Sequence, residues 1–121
     1  MKVIFYYTDV LPILSKGEAA ITKLKYNLDF FRERQEDVCL VWHPYSRMEE
    51  LLQKNNCALL HAYQQVVADY KAAGWGIFDE SEDVIGRLQG CDAYYGDVSD
   101  LSYYSCEAGH PALLIDYDCL G

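Results

Sequence analysis

The chain has 121 residues, of which 51% are hydrophobic, so it is long enough to form one domain with a buried core. Its 19 acidic residues outnumber 10 basic ones, and the formal net charge of -9 argues against nucleic-acid binding, because neutralising phosphates requires a basic face. No secretory leader and no apolar run of the roughly 20 residues that span a bilayer is present, so we expect a cytoplasmic protein without a transmembrane segment. The five cysteines include no C-x-x-C pair, so neither a disulfide framework nor a metal site is predicted.

The first third of the chain alternates apolar strands with a helix. Residues 2–7 are apolar and β-branched or aromatic, which is typical of a central strand covered on both faces. The segment that follows contains Pro12, and a turn is predicted at Ser15-Lys16-Gly17. Apolar residues then recur at three- and four-residue steps and predict an amphipathic helix over 20–31. A second buried strand over 37–42 is predicted to end at His43-Pro44, since proline cannot donate to a ladder.

The middle of the chain predicts three more helices and a short strand. Ser46 is expected to cap a short helix, and a longer helix over 57–73 is expected to end at a glycine. Residues 75–78 predict the third strand. Ser81, followed by two acids, is expected to cap the next helix.

The end of the chain predicts strand, tight turn, helix and strand. A short apolar run over 91–95 ends at Gly96, and Asp97 and Ser99 then open a helical pattern. Residues 109–115 contain a Gly-x-Pro turn and a second apolar run. This order is typical of a β-α-β unit whose first turn could hold an anion or a sugar nucleotide.

Strands that alternate with helices through short turns predict a single α/β domain over residues 1–121. We expect a Rossmann-like three-layer sandwich with a five-stranded, mainly parallel sheet in the order 3-2-1-4-5 and helices on both faces. Ligands bind outside the carboxyl ends of such strands, where the strand order reverses. That point falls between the first and fourth strands, so Thr8, His43 and the turn after Gly96 are expected to converge on one crevice.

The turn after the fourth strand has a physical case as an anion site. Gly96 allows the backbone to approach a ligand closely, Ser99 can cap the helix, and the helix N-terminus offers unsatisfied N–H groups. Capping serines and acids also open ordinary helices, and His43 could simply be a polar residue that ends a strand. From these residues alone, a binding role and a structural role both stay open.

Three stretches carry a resemblance to a known family. They are Leu40-Val41-Trp42-His43-Pro44, Cys91-Asp92-Ala93-Tyr94-Tyr95-Gly96-Asp97-Val98-Ser99-Asp100 and Gly109-His110-Pro111-Ala112-Leu113-Leu114-Ile115. Their succession resembles the C-terminal Rossmann-like domain of GT-B glycosyltransferases, and most closely the CDP-glycerol glycerophosphotransferase family, which builds teichoic-acid-like polymers. In that family a strand ends in His-Pro, a later strand leads into an Asp-x-Ser-Ser helix start, and a Gly-Lys-Pro turn follows. The resemblance implies that His43, Asp97 and Ser99 contact the donor phosphates, with the turn at Thr8 lining the same cleft.

The resemblance also implies a function. The domain would bind a nucleotide-activated donor, such as CDP-glycerol or a nucleotide sugar, without a cofactor or a metal. GT-B enzymes work in a cleft between two domains, so a second GT-B domain is the expected partner, and this domain is not expected to catalyse transfer alone. Where the family has its second serine this chain has Asp100, whose carboxylate would repel a diphosphate. The alternative is therefore a non-catalytic α/β binding or assembly module with a degenerate phosphate site.

A phospho-receiver domain is a third hypothesis, because it is also a five-stranded α/β fold of this size. Asp9 and Asp79 could supply the acid after the first strand and the phosphoacceptor after the third. Asp116-Tyr117-Asp118 stands where that fold needs a lysine, which makes this hypothesis the weakest of the three.

Overall fold

The protein is described by a computed structural model over residues 2–80 and 83–96, and over 112–114 for the backbone alone. Strands and helices alternate along these residues. Their order is β1 (Lys2–Thr8), α1 (Val10–Lys16), α2 (Glu18–Arg32), β2 (Val38–Pro44), α3 (Met48–Asn55), α4 (Cys57–Ala73), β3 (Ile77–Phe78), α5 (Val84–Gln89), β4 (Ala93–Gly96) and β5 (Ala112–Leu114).

All strand pairs of the sheet are parallel, and the strand order is β3-β2-β1-β4-β5. The predicted α/β class is confirmed, and so is the order 3-2-1-4 for the first four strands; Ala112–Leu114 pairs with β4 through its backbone. β1 is central, and its residue Tyr7 lies opposite both His43 of β2 and Gly96 of β4. Receiver-type sheets have the order 2-1-3-4-5, so the receiver hypothesis is wrong.

The described helices lie on both faces of the sheet. Helices α1 to α4 pack on one face against Tyr6, Leu40 and Trp42. On the other face Leu88 of α5 packs against Phe5 and neighbouring strand residues. This division follows from the strand order, because right-handed crossovers place helices on one face until the chain reverses direction across the sheet after β3. No helix in the described ranges is long and apolar enough to cross a membrane.

Helix α1 lies in the segment for which the sequence predicted only a turn, at Ser15-Lys16-Gly17. Pro12 does not break this helix because it lies in the first turn, where backbone N–H groups have no intrahelical acceptor. Asp9 caps the helix, its carboxylate accepting a hydrogen bond from the Val10 amide at 2.7 Å. Gly17, with a φ of 61°, then separates α1 from α2. Together these residues form two helices where one helix and a turn were expected.

Two predicted helix caps are also wrong. Asp83, and not Ser81, occupies the cap position of α5, and its side chain accepts a hydrogen bond from the Gly86 amide at 3.0 Å. Helix α3 begins one residue later than expected, with Arg47 at the cap position instead of Ser46 and no side-chain cap bond. Both errors shift a helix start by one or two residues and leave the helices themselves in place.

Candidate functional site

A cleft of about 580 Å³ opens at the carboxyl ends of β1, β2 and β3. Its lining comes from these strand ends, from the segments that follow them, and from α4. The lining residues are Tyr7, His43, Pro44, Tyr45, Ser46, Met48, Glu49, Tyr63, Val67, Lys71, Phe78, Asp79, Glu80 and Val84. The cleft therefore lies at the edge of the sheet where ligands of parallel α/β folds bind.

His43 and Asp79 form a buried pair in this cleft. The Nδ1 atom of His43 lies 3.1 Å from the Oδ2 atom of Asp79, and only 6% and 8% of the two side chains are exposed. The pair forms because β2 and β3 are parallel neighbours, so His43 near the end of β2 meets the residue that follows β3. The Asp79 amide continues this pairing by donating to the Trp42 carbonyl at 2.8 Å. Burial of both groups is tolerated because each supplies the other with a polar partner.

A third group contributes to the electrostatics of the pair. The Nε atom of Arg87, on α5, lies 3.9 Å from the Oδ1 atom of Asp79. Arg87 is 41% exposed, so solvent screens part of this attraction. Arg87 thus places a positive charge beside Asp79, and the imidazole of His43 lines the cleft.

Two aromatic rings of β1 fix the plane of the imidazole. The ring centroid of His43 lies 5.6 Å from that of Phe5 and 6.3 Å from that of Tyr7, with interplanar angles of 24° and 20°. Phe5 and Tyr7 are two residues apart in a strand, so their side chains point to the same face, which is also the face of His43. The ring is thus held by two stacking contacts and one charged hydrogen-bond partner.

Thr8 and His43, both expected in the crevice, lie on opposite faces of the sheet. The hydroxyl of Thr8 accepts a hydrogen bond from the Trp42 indole at 3.1 Å and is buried on the face covered by α1 to α4. Thr8 is not among the residues that line the cleft. Side-chain alternation along β1 explains this placement, since Thr8 follows Tyr7 and must point the opposite way.

Gly96 lies at the carboxyl end of β4, directly beside β1. Its φ is 137°, and a β-carbon at this position would overlap the backbone carbonyl oxygen of Tyr7. The close approach at Gly96 is made to a neighbouring strand, and the predicted approach to a ligand stays a prediction. The other three residues of the predicted site, Asp97, Ser99 and Asp100, lie outside the described residues.

Acidic groups dominate the charge of the described cleft. Burial is the main cause of the raised pKa of the Tyr63 phenol, and the carboxylates of Glu49 and Glu80 raise it further. Lys71 is the one lysine or arginine in the described lining, and its Nζ atom lies 4.6 Å from the centroid of the Phe78 ring. Within the residues that the structure describes, no group of three or more histidines, cysteines and acids could hold a metal ion.

The pair of His43 and Asp79 was missed by reasoning from the sequence. His43 was predicted as a phosphate contact, and Asp79 was considered only as an acid of the receiver hypothesis. The signal that could have found the pair is that both residues follow neighbouring strands of the predicted sheet, whose carboxyl ends meet. Comparisons with protein-family models, curated proteins and solved structures find no match for this chain.

Proposed function

We propose that this Rossmann-like domain binds a nucleotide-diphosphate donor, such as CDP-glycerol or a nucleotide sugar, as one half of a glycosyl- or glycerophosphotransferase-like protein. The position of the cleft is the observation that carries the proposal. It lies at the carboxyl ends of parallel strands, next to the point between β1 and β4 where the strand order reverses. His43 and Gly96 flank Tyr7 at that edge, so the two neighbouring strands bring both residues to one region.

Such a domain contributes to the reaction by positioning the donor. The turn with Asp97 and Ser99, which follows β4, would offer backbone N–H groups to the donor phosphates. His43 would contact the donor from β2, which lies on the other side of β1. Transfer then depends on orienting the donor and stabilising the leaving diphosphate. The acceptor and its base would come from a second GT-B-like domain, so this domain binds the donor without transferring it.

A second candidate function is a non-catalytic α/β module that binds another ligand or serves assembly. The observation that favours it is the charge of the cleft, where, among the described lining residues, Glu49, Asp79 and Glu80 face a single lysine. Asp100 would add another carboxylate at the start of the following helix. Carboxylates at close range oppose the binding of a diphosphate.

Calorimetric titration with CDP-glycerol, CDP and UDP-sugars distinguishes the two functions. Donor binding predicts heat from the natural chain and a loss of about tenfold in affinity or more in His43→Ala and in Ser99→Ala, which corresponds to about one charged hydrogen bond. The matched control is His61→Ala, because His61 is exposed on α4 and lies outside the cleft. This control should bind as the natural chain does.

The Asp100→Ser variant distinguishes a phosphate site that Asp100 has inactivated from a chain that has no such site. Binding by this variant and none by the natural chain would support the non-catalytic module with a degenerate phosphate site. Absence of binding in both, with intact folding by circular dichroism, would rule out the donor-binding proposal.

A further inference from the structure

Only one of the two imidazole nitrogens of His43 has a hydrogen-bond partner among the described residues. Nδ1 faces the Asp79 carboxylate at 3.1 Å, while no hydrogen bond reaches Nε2 among residues 2–80 and 83–96. Only 6% of the side chain is exposed, and it lines the cleft. A buried nitrogen without a partner is unfavourable, and a ligand group in the cleft can relieve that cost.

The partner at Nδ1 determines the character of Nε2. An ionised carboxylate can only accept a hydrogen bond, so Nδ1 carries the proton of the neutral ring. Nε2 is then an acceptor, with a lone pair available to a donor in the cleft. Phe5 and Tyr7 stack on the ring, and the contact with Asp79 holds Nδ1 on the side of the carboxylate.

Two carboxylates in the same cleft are hydrogen-bond acceptors, as Nε2 is. They belong to Glu49 and Glu80, which both line the cleft. Carboxylates accept hydrogen bonds from hydroxyl groups and repel phosphates. The side chains of Tyr63 and Phe78 line the same space and add apolar surface. These groups match a neutral ligand that has several hydroxyl groups.

We propose that this part of the cleft binds a hydroxyl group of a sugar or polyol through Nε2 of His43, and that Asp79 is the positioning residue that fixes the tautomer. The inference rests on the proposed donor binding and specifies it: the cleft holds the polyol or sugar portion of the donor, away from the diphosphate. It differs from the phosphate contact that the family resemblance implies for His43, because a neutral ring with its proton on Nδ1 cannot donate to phosphate from Nε2.

Nitrogen-15 NMR of the histidine side chains tests the tautomer directly. In spectra recorded where the ring is neutral, the natural chain should show His43 protonated on Nδ1, with the His43→Gln variant identifying its signals. In Asp79→Asn the amide NH₂ can donate to Nδ1, and the proton should move to Nε2. Asp69→Asn is the matched control, since Asp69 is an exposed residue of α4 that should leave His43 unchanged. A neutral ring protonated on Nε2 in the natural chain would overturn the inference without any variant.

Ligand titration tests the hydroxyl contact. CDP-glycerol or UDP-glucose should shift the Nε2 resonance of His43, whereas CDP and UDP should bind without shifting it. Asp79→Asn should lower the affinity for the hydroxyl-bearing donor about tenfold and leave that for CDP or UDP unchanged. An equal Nε2 shift with the nucleotide alone, or binding of every donor without a shift, would overturn the inference and leave the donor-binding proposal intact.

Failure of the proposed function has a different outcome. If no nucleotide binds, donor binding is wrong, and concentrated glycerol and methyl glucoside then test the cleft by themselves. A saturable Nε2 shift with either compound would support the hydroxyl site. No shift with either would overturn it.

Discussion

The indole of Trp42 donates to the hydroxyl of Thr8 across 3.1 Å, and this hydrogen bond joins the two central strands β1 and β2 beneath the helices. Trp42 is completely buried, and Thr8 is 3% exposed. The hydrogen bond therefore satisfies a donor that has no access to water. It also assigns the Thr8 side chain to the core on the face opposite His43.

Replacement of Thr8 by valine should lower the free energy of unfolding by about 1–3 kcal/mol, because the indole N–H loses its acceptor while the shape of the side chain is kept. Urea denaturation measures this change. The exposed Thr22 of α2 provides the matched control, and Thr22→Val should change stability by less than about 0.5 kcal/mol.

The double variant Thr8→Val/Trp42→Phe tests whether the hydrogen bond is the cause. Removal of both partners should cost less than the sum of the two single losses, with a coupling of about 1 kcal/mol. Additive losses would mean that Thr8 and Trp42 contribute through separate packing. Donor titration of Thr8→Val should also match that of the natural chain, since the hydroxyl points away from the cleft.

Gly96→Ala should be far more destabilising than Gly17→Ala, although both residues have a positive φ, of 137° and 61°. A β-carbon at Gly17 meets nothing within 4 Å, so alanine there should cost only the backbone strain of a φ of 61° with a ψ of -129°, about 1–3 kcal/mol. At Gly96 the β-carbon also overlaps the Tyr7 carbonyl oxygen, and a loss of more than about 3 kcal/mol is expected. Equal losses in urea denaturation would contradict the close approach of β4 to β1.

The parallel α/β architecture was predictable because the physical signals are local and repeated. Apolar runs such as residues 2–7 and 37–42 are too hydrophobic for strands exposed on one face, and helical patterns between them require parallel crossovers. Helix α1 was not predictable in the same way. Pro12 disfavours a helix interior but not a first turn, and only the capping carboxylate of Asp9 distinguishes the two cases.

The edge of the sheet at which the candidate site lies was predictable, but the positions of its side chains relative to one another were not. The carboxyl ends of the strands follow from the parallel sheet, so His43 was rightly placed at that edge. The face to which each side chain points depends on the residue where the strand begins, and a shift of one position moves Thr8 from cleft to core. Asp79 was not recognised as the partner of His43 because the residues are 36 positions apart and only the pairing of β2 with β3 brings them together.

Tyr70→Phe should weaken the attachment of the short edge strand β3. The Tyr70 hydroxyl lies 2.9 Å from the Ile77 carbonyl of β3 and 3.3 Å from the Leu40 carbonyl of β2, so it links the two strands from α4. We expect a loss of about 1 kcal/mol in the free energy of unfolding and faster amide hydrogen exchange in β3. Tyr26→Phe, at a residue that is 63% exposed, should change neither measurement.

The same tyrosine should make stability depend on alkaline pH. Burial is the main cause of the raised pKa of the Tyr70 phenol, which ordinarily lies at 10.0. A raised folded-state pKa means that the contribution to stability is complete below pH 10.0 and is lost as the pH rises above that value. The decline of stability above this pH should be less steep in Tyr70→Phe than in the natural chain. Identical slopes would mean that the phenol is not shielded from water in the folded protein.

Glu50 should provide the corresponding dependence on acid. Its carboxylate lies 2.9 Å from the Nε atom of Arg47 and 3.3 Å from the Nζ atom of Lys54, and the hydrogen bond to Arg47 is the main cause of the fall in its pKa from 4.5 to about 2. Because the folded-state pKa is the lower one, the stabilisation is complete above pH 4.5 and is lost as the pH falls towards 2. The effect should be small, since all three groups are exposed and screened by salt.

The variant Glu50→Gln tests this dependence. Its melting temperature should lie slightly below that of the natural chain at neutral pH, and the two should converge as the pH falls to about 2. Added salt should reduce the difference at neutral pH, because it screens the attraction to Arg47 and Lys54. Glu36→Gln is the matched control at another exposed position, and its melting temperature should follow that of the natural chain. A carboxyl titration of Glu50 by NMR with a midpoint near 4.5 would contradict the ion pairs as the source of the difference.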